Sequence, residues 1–171
     1  MKVALLGFDG PVEGGLPHGW FNSDQYVSGV ATDYTIRVVR RESSVSGMCL
    51  KLFKSGAQPA EFGSVMQRFP AKYLAGQTVR LEGELRTDNV SQWAGFWLRA
   101  DGEENADLFF DNMHGQRLTG TTPWTRHAVE GRLPRETVWM NLGVVLCGDG
   151  VVYADNLRFL RWTSQGTWMD V

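Results

Sequence analysis

A chain of 171 residues with 17 Lys and Arg against 19 Asp and Glu carries a formal net charge of −2. It lacks the basic excess that phosphate contacts require, so a nucleic-acid binder is excluded as the first reading. The length suits one domain, taken as residues 1–171, whose core needs no staples. Cys49 and Cys147 stand in apolar runs without ligand spacing and read as free, buried thiols.

The opening MKVALLGFDGPVEGG has one Lys and only a few apolar residues before Gly7, too short for a secretory core or a membrane span. The expectation is a cytoplasmic protein with no membrane contact. From residue 34 onward, short runs with period-two alternation are broken by Gly, Asn, Asp and Pro. The expected strands are YTIRVVR (34–40), GMCLKLF (47–53), GSVMQRF (63–69), TVRLEGELRT (78–87), AGFWLRA (94–100), ADLFFD (106–111), TRHAVEGRL (125–133), VWMNLGVVLC (138–147) and VVYADNLRFL (151–160). Strands of that number and length predict an all-β fold, a two-sheet antiparallel sandwich. Only PAKYLAG (70–76), which starts with Pro and ends with Gly, has a helical signature, and it holds two turns at most. No repeat, low-complexity tract or linker interrupts the pattern.

Side chains at i and i+2 share a face of a strand, so the alternation separates a core side from an outer side. Val79, Leu81 and Leu85 oppose Arg80, Glu82, Glu84 and Arg86; Phe96 and Leu98 oppose Trp97 and Arg99; Leu108 and Phe110 oppose Phe109 and Asp111; Met140, Leu142 and Val144 oppose Asn141 and Val145. If these strands are neighbours, one outer face carries Glu82, Glu84, Trp97, Arg99, Phe109, Asp111 and Asn141. Rings among charged and amide groups suit a small polar ligand, a carbohydrate above all, because rings stack on C–H faces while polar groups fix hydroxyls. The alternative is a solvated face of cross-strand ion pairs, Glu82 with Arg99 for example.

The stretch LFFDNMHGQRLTGTTPW (108–124) reads as a strand end, a loop with Asn112 as its cap, and a turn in which Gly120 supplies unusual backbone angles. Trp124 then re-enters the sandwich, and Trp20 closes its other end. Asp111 could orient His114, but nothing in the sequence supplies a nucleophile. Glu82 and Glu84, two apart on one strand face, stand roughly 6–7 Å apart, which overlaps glycosidase carboxylate pairs; surface alternation explains them more simply. GFDG and CGDG do not continue into a Lys-bearing helix, which excludes a phosphate loop.

RLEGELRTDNVSQWAGFWLRADG, FFDNMHGQRLTGTTPWTRHAVEGRLP and LGVVLCGDGVVYADNLRF, in that order, resemble a bacterial domain family found alone or attached to other modules, including AraC-type transcriptional regulators. The resemblance runs from about residue 19 to 161 and implies a galactose-binding-type jelly roll similar to carbohydrate-binding modules. The chain departs from the pattern at Pro123, where members carry Asp, and at YADN (153–156), where they carry Trp first. Similar jelly rolls hold a structural calcium, so the resemblance implies a candidate metal ligand at Asp155, with Asp9 or Glu13 as a further oxygen donor. There is no helix-turn-helix segment, so DNA binding is not implied. The resulting expectation is a binding or sensory module without catalysis. An interaction module that packs on another protein or its own copy, or a small enzyme using the outer carboxylates or His114, are the alternatives.

Overall fold

Runs of Val, Leu, Ile and aromatic residues alternating with charged ones are stable only as strands with one face covered. They form β4 (Tyr34–Arg40), β5 (Met48–Lys54), β6 (Phe62–Pro70), β7 (Thr78–Asp101), β8 (Phe109–Asp111), β9 (Leu118–Arg132), β10 (Trp139–Cys147) and β11 (Val151–Trp162). Short pieces complete the set: β1 (Val12–Glu13), β2 (Leu16–Pro17), β3 (Phe21–Asn22) and β12 (Trp168–Asp170). The computed structural model describes residues 6–9, 12–13, 15–23, 33–41, 47–56 and 61–171. Within them every strand pairing is antiparallel. No helix among them is long and apolar enough to cross a membrane.

The 24-residue β7 belongs to both layers of the sandwich. Its first half pairs with β9 and β11, and β11 continues through β5 to β4; its second half pairs with β8 and β10, and β10 continues through β6 to β3. The strands expected at 78–87 and 94–100 are therefore one strand that passes from sheet to sheet. Its phase reverses at the crossing. Leu81 and Leu85 face the core before it, and Phe96 and Leu98 after it, so the buried positions change from odd to even. Asn89, at φ 51, is the residue that absorbs the change, together with register shifts against β9 between Thr87 and Ala94.

Between the layers lie Leu50, Leu52, Leu81, Leu85, Phe96, Leu98, Leu142, Leu146 and Phe159, all essentially without solvent contact. Each such side chain contributes roughly 1.5–3 kcal/mol when fully buried. Trp20 is buried, as expected of a structural ring, and packs tilted against Phe8 with ring centroids 5.5 Å apart. Cys49 and Cys147 are free and buried, and burial pushes both thiols up to about 11.

Residues 70–76 hold a single 3-10 turn, Lys72–Leu74, within the two turns at most expected there. Two expectations fail. Residues 118–124 are not a turn: β9 already begins at Leu118, and Gly120, at φ +66, is an irregularity within it. Trp124 does not enter the core, because the shifts in β9 leave it half-buried on the outer surface beneath Arg41.

Candidate functional site

Antiparallel register sets which side chains stand together on the outer face of the β6-β10-β7-β8 layer. Phe62, Cys147 and Trp93 form one rung; Met66, Gly143 and Trp97 the next but one; Arg68, Asn141, Arg99 and Phe110 another; and Trp139 and Asp101 lie beyond. The face is thus apolar at one end and polar at the other. It forms a cleft of about 620 Å³, within the usual range for small-molecule sites. From β6 to β8 is three strand spacings, about 14 Å.

Trp97 makes the floor. Its ring is 8% exposed among Met66, Val145 and Cys147, and its indole N–H donates to Ser64 Oγ at 2.9 Å, whose hydroxyl donates in turn to the Val144 carbonyl at 3.0 Å. The indole can lie across β10 because position 143 has no side chain: a Cβ there would meet the Val65 carbonyl oxygen and come within 2.8 Å of Trp97 Nε1. The walls are open rings. Phe110 is 54% exposed with its centroid 6.4 Å from Trp97, and Phe62 is 46% exposed on the opposite side. At the mouth, Arg117 lies 3.9 Å over Trp93 and donates to Asn112 Oδ1 at 2.9 Å.

The polar end is organised by a buried carboxylate, Asp101. It receives Arg99 Nη2 at 3.1 Å, Asn141 Nδ2 at 2.9 Å and the Asp107 backbone N–H at 3.0 Å, with Arg68 Nη1 at 3.8 Å. Burial acts to raise its pKa, but the Asp107 N–H, the Asn141 amide and Arg99 outweigh it and hold the carboxyl below its ordinary value. Asn141, which borders the cleft, spends its amide N–H on this anion, and its own Oδ1 is buried with no hydrogen-bond partner among the described residues. An orphaned acceptor of this kind costs about 1–3 kcal/mol until a donor reaches it.

Of the residues expected on one face, the structure brings together Trp97, Arg99 and Asn141 and separates the others. Glu82 and Glu84 lie on the first half of β7, in the opposite layer. Glu82 pairs with Arg126 at 2.6 Å rather than with Arg99, and Glu84 with Arg41 at 2.9 Å. Hydrogen bonds from Arg41 and Asn156 hold Glu84 below the ordinary carboxylate range, the opposite of a general acid. Phe109 points inward and packs on the core over Gly131, because it stands opposite inward-facing Ala100; its neighbour Phe110 takes the outer position opposite Arg99. Asp111 stands opposite inward-facing Leu98 and leaves the cleft. It, rather than Asn112, caps the loop, accepting the Met113 N–H at 2.9 Å, while His114 is exposed and makes no bond to it. Sequence reasoning missed Phe62, Trp93, Arg68 and Phe110, and only the register could have revealed the last.

Asp155 is buried with Oδ2 2.8 Å from Arg41 Nη1 and Oδ1 accepting the Asn156 N–H at 2.7 Å. Asp9 is exposed, the Glu13 side chain lies outside the described residues, and no three His, Cys, Asp or Glu groups gather among those described. Among the described residues Asp155 is answered by a guanidinium and a backbone N–H rather than by the six to eight oxygens that Ca²⁺ takes.

The CBM22-1 and GH10 modules of Clostridium thermocellum endo-1,4-beta-D-xylanase 10B, solved with xylohexaose, superpose with a TM-score of 0.62 at 12% identity, over 92% of this chain and 27% of that one. The chain has the jelly-roll fold. The CBM22-1 xylan-binding domain of Paenibacillus barcinonensis Xyn10C superposes with a TM-score of 0.56 at 7% identity, over 84% of this chain and 85% of that one. In sequence, the HTH-type transcriptional regulator YbfP of Bacillus subtilis is 35% identical over 99 residues, 58% of this chain. The jelly-roll chain spans about a third, 34%, of that relative. No protein-family profile matches it.

Proposed function

We propose that this jelly roll is a non-catalytic carbohydrate-binding module whose saccharide occupies the cleft on the β6-β10-β7-β8 layer. The observation that carries the proposal is the pairing of an open ring, Phe110, with an orphaned buried acceptor, Asn141 Oδ1, across one cleft. A sugar ring has an apolar C–H face for Phe110 and hydroxyl donors for Asn141, and no purely apolar or purely charged ligand satisfies both. Arg99 and Arg68, held by Asp101, stand at the same end to meet ring hydroxyls. The xylan-binding domain with the same fold supports the ligand class.

The sequence similarity to an HTH-type regulator supports the second part of the proposal, that the module senses its ligand as one piece of a cytoplasmic regulatory protein. The test is a thermal-shift screen of neutral oligosaccharides. A ligand at 100 times its Kd stabilises the folded state by about 2.7 kcal/mol, a rise of roughly 5–11 °C in a domain of this size. The rise should vanish in Phe110→Ala. A full panel without any shift at millimolar concentration rejects the proposal.

A further inference from the structure

The outer face of the other layer carries a second groove of different chemistry, about 590 Å³ in volume. Register places Tyr153 between Lys51 on β5 and Arg86 on β7. Both cations cap its ring, Arg86 at 5.1 Å and Lys51 at 5.8 Å from the centroid. Across the groove Arg41 lies 3.7 Å over Trp124, and Arg40 stands beside it. The nearby acids are already engaged: Glu84 and Asp155 both hold Arg41. Among the described residues no acidic side chain reaches ion-pair distance of Arg40, Lys51 or Arg86, and none lines the groove.

A chain of net charge −2 that gathers Arg40, Lys51 and Arg86 at one groove, with no acidic partner among the described residues, has a surface complementary to an anion. Further along the same face, Arg126 is answered by Glu82 and Arg80 by Glu130, so the positive surface is local and does not run on as a stripe. A repeating phosphate backbone needs such a stripe; one or two spaced carboxylates do not. Guanidinium forks match planar carboxylates, and the rings offer apolar surface to C–H groups beside them. We infer that this groove binds a carboxylate-bearing oligosaccharide, at a site on the opposite face of the sandwich from the cleft. The inference stands on its own groove and survives if the cleft proposal fails.

The experiment is isothermal titration calorimetry of the full chain with tri-galacturonate and with its neutral methyl ester. Tri-galacturonate should bind at low ionic strength and weaken at least tenfold when salt is raised from about 20 to about 300 mM, as the Debye length shrinks. The double variant Lys51→Gln/Arg86→Gln should lose at least tenfold in affinity. Lys51→Arg/Arg86→Lys, which keeps both charges, should retain most of it, and far-UV circular dichroism should match wild type for both. Phe110→Ala should bind tri-galacturonate as wild type does, which separates this site from the cleft. No heat with tri-galacturonate at millimolar concentration overturns the inference. So does affinity undiminished in the Gln variant, equal binding of the ester, or tighter binding of a single-stranded oligonucleotide, which would make the groove a nucleic-acid site.

Discussion

Gly143→Ala probes how the cleft floor is built. A methyl group at that position has no room: the Val65 carbonyl belongs to the paired strand and cannot yield without opening the β6-β10 ladder, and the other neighbour is the Trp97 indole. Overpacking of this kind costs about 1–3 kcal/mol. Displacing the indole also breaks its hydrogen bond to Ser64, a further ~0.5–1.5 kcal/mol. The sum, roughly 2–4 kcal/mol, corresponds to a fall of about 4–16 °C in a domain of this size. Differential scanning calorimetry measures the fall, and tryptophan emission should move to the red as Trp97 leaves its apolar seat. A melting temperature and emission maximum equal to wild type would refute the claim that the floor depends on a missing side chain.

The two tryptophans expected to close the sandwich should behave differently. Trp20→Ala removes a buried ring and should cost roughly 3–5 kcal/mol in urea denaturation, whereas Trp124→Ala removes a half-buried outer ring and its contact with Arg41, about 1 kcal/mol. Equal costs would contradict the placement of Trp124. Arg41→Met takes the guanidinium from buried Asp155 and should destabilise by roughly 3 kcal/mol, most of it recovered in Arg41→Met/Asp155→Asn; a single variant as stable as wild type would show that Asp155 does not need Arg41. Glu84 and Asp101 both have folded-state pKa values below their unfolded ones. Their contribution is therefore complete above the unfolded values, near 4, and is lost as pH falls through the folded ones. The urea midpoint should be flat from about pH 7 to 5 and drop below about pH 4; a midpoint that rises on acidification is the contrary result.

The strands themselves were legible because alternation is a direct record of one-sided burial, and within each half of β7 it sorted core from surface. What it could not carry was sheet membership. A single left-handed residue, Asn89, reverses the phase between Arg86 and Trp97, so Glu82 and Trp97, fifteen residues apart on one strand, end on opposite layers of the molecule. Phe109 and Phe110 show a second limit: β8 has three residues, too few to fix a phase, and only its pairing with Leu98 to Ala100 decides which ring faces out. Asp155 illustrates a third, since its partner Arg41 is 114 positions away and no local pattern joins them. Asn141 was placed correctly by alternation, yet its orphaned oxygen follows from Asp101 claiming the amide, which is a matter of tertiary packing.

The most direct measurement is a crystal structure of the chain with a neutral oligosaccharide that raises its melting temperature. Carbohydrate recognition in the cleft predicts a sugar ring stacked on Phe110 above Trp97, with one hydroxyl donating to Asn141 Oδ1. A saccharide bound away from the β6-β10-β7-β8 face, with the cleft holding only solvent, would contradict it.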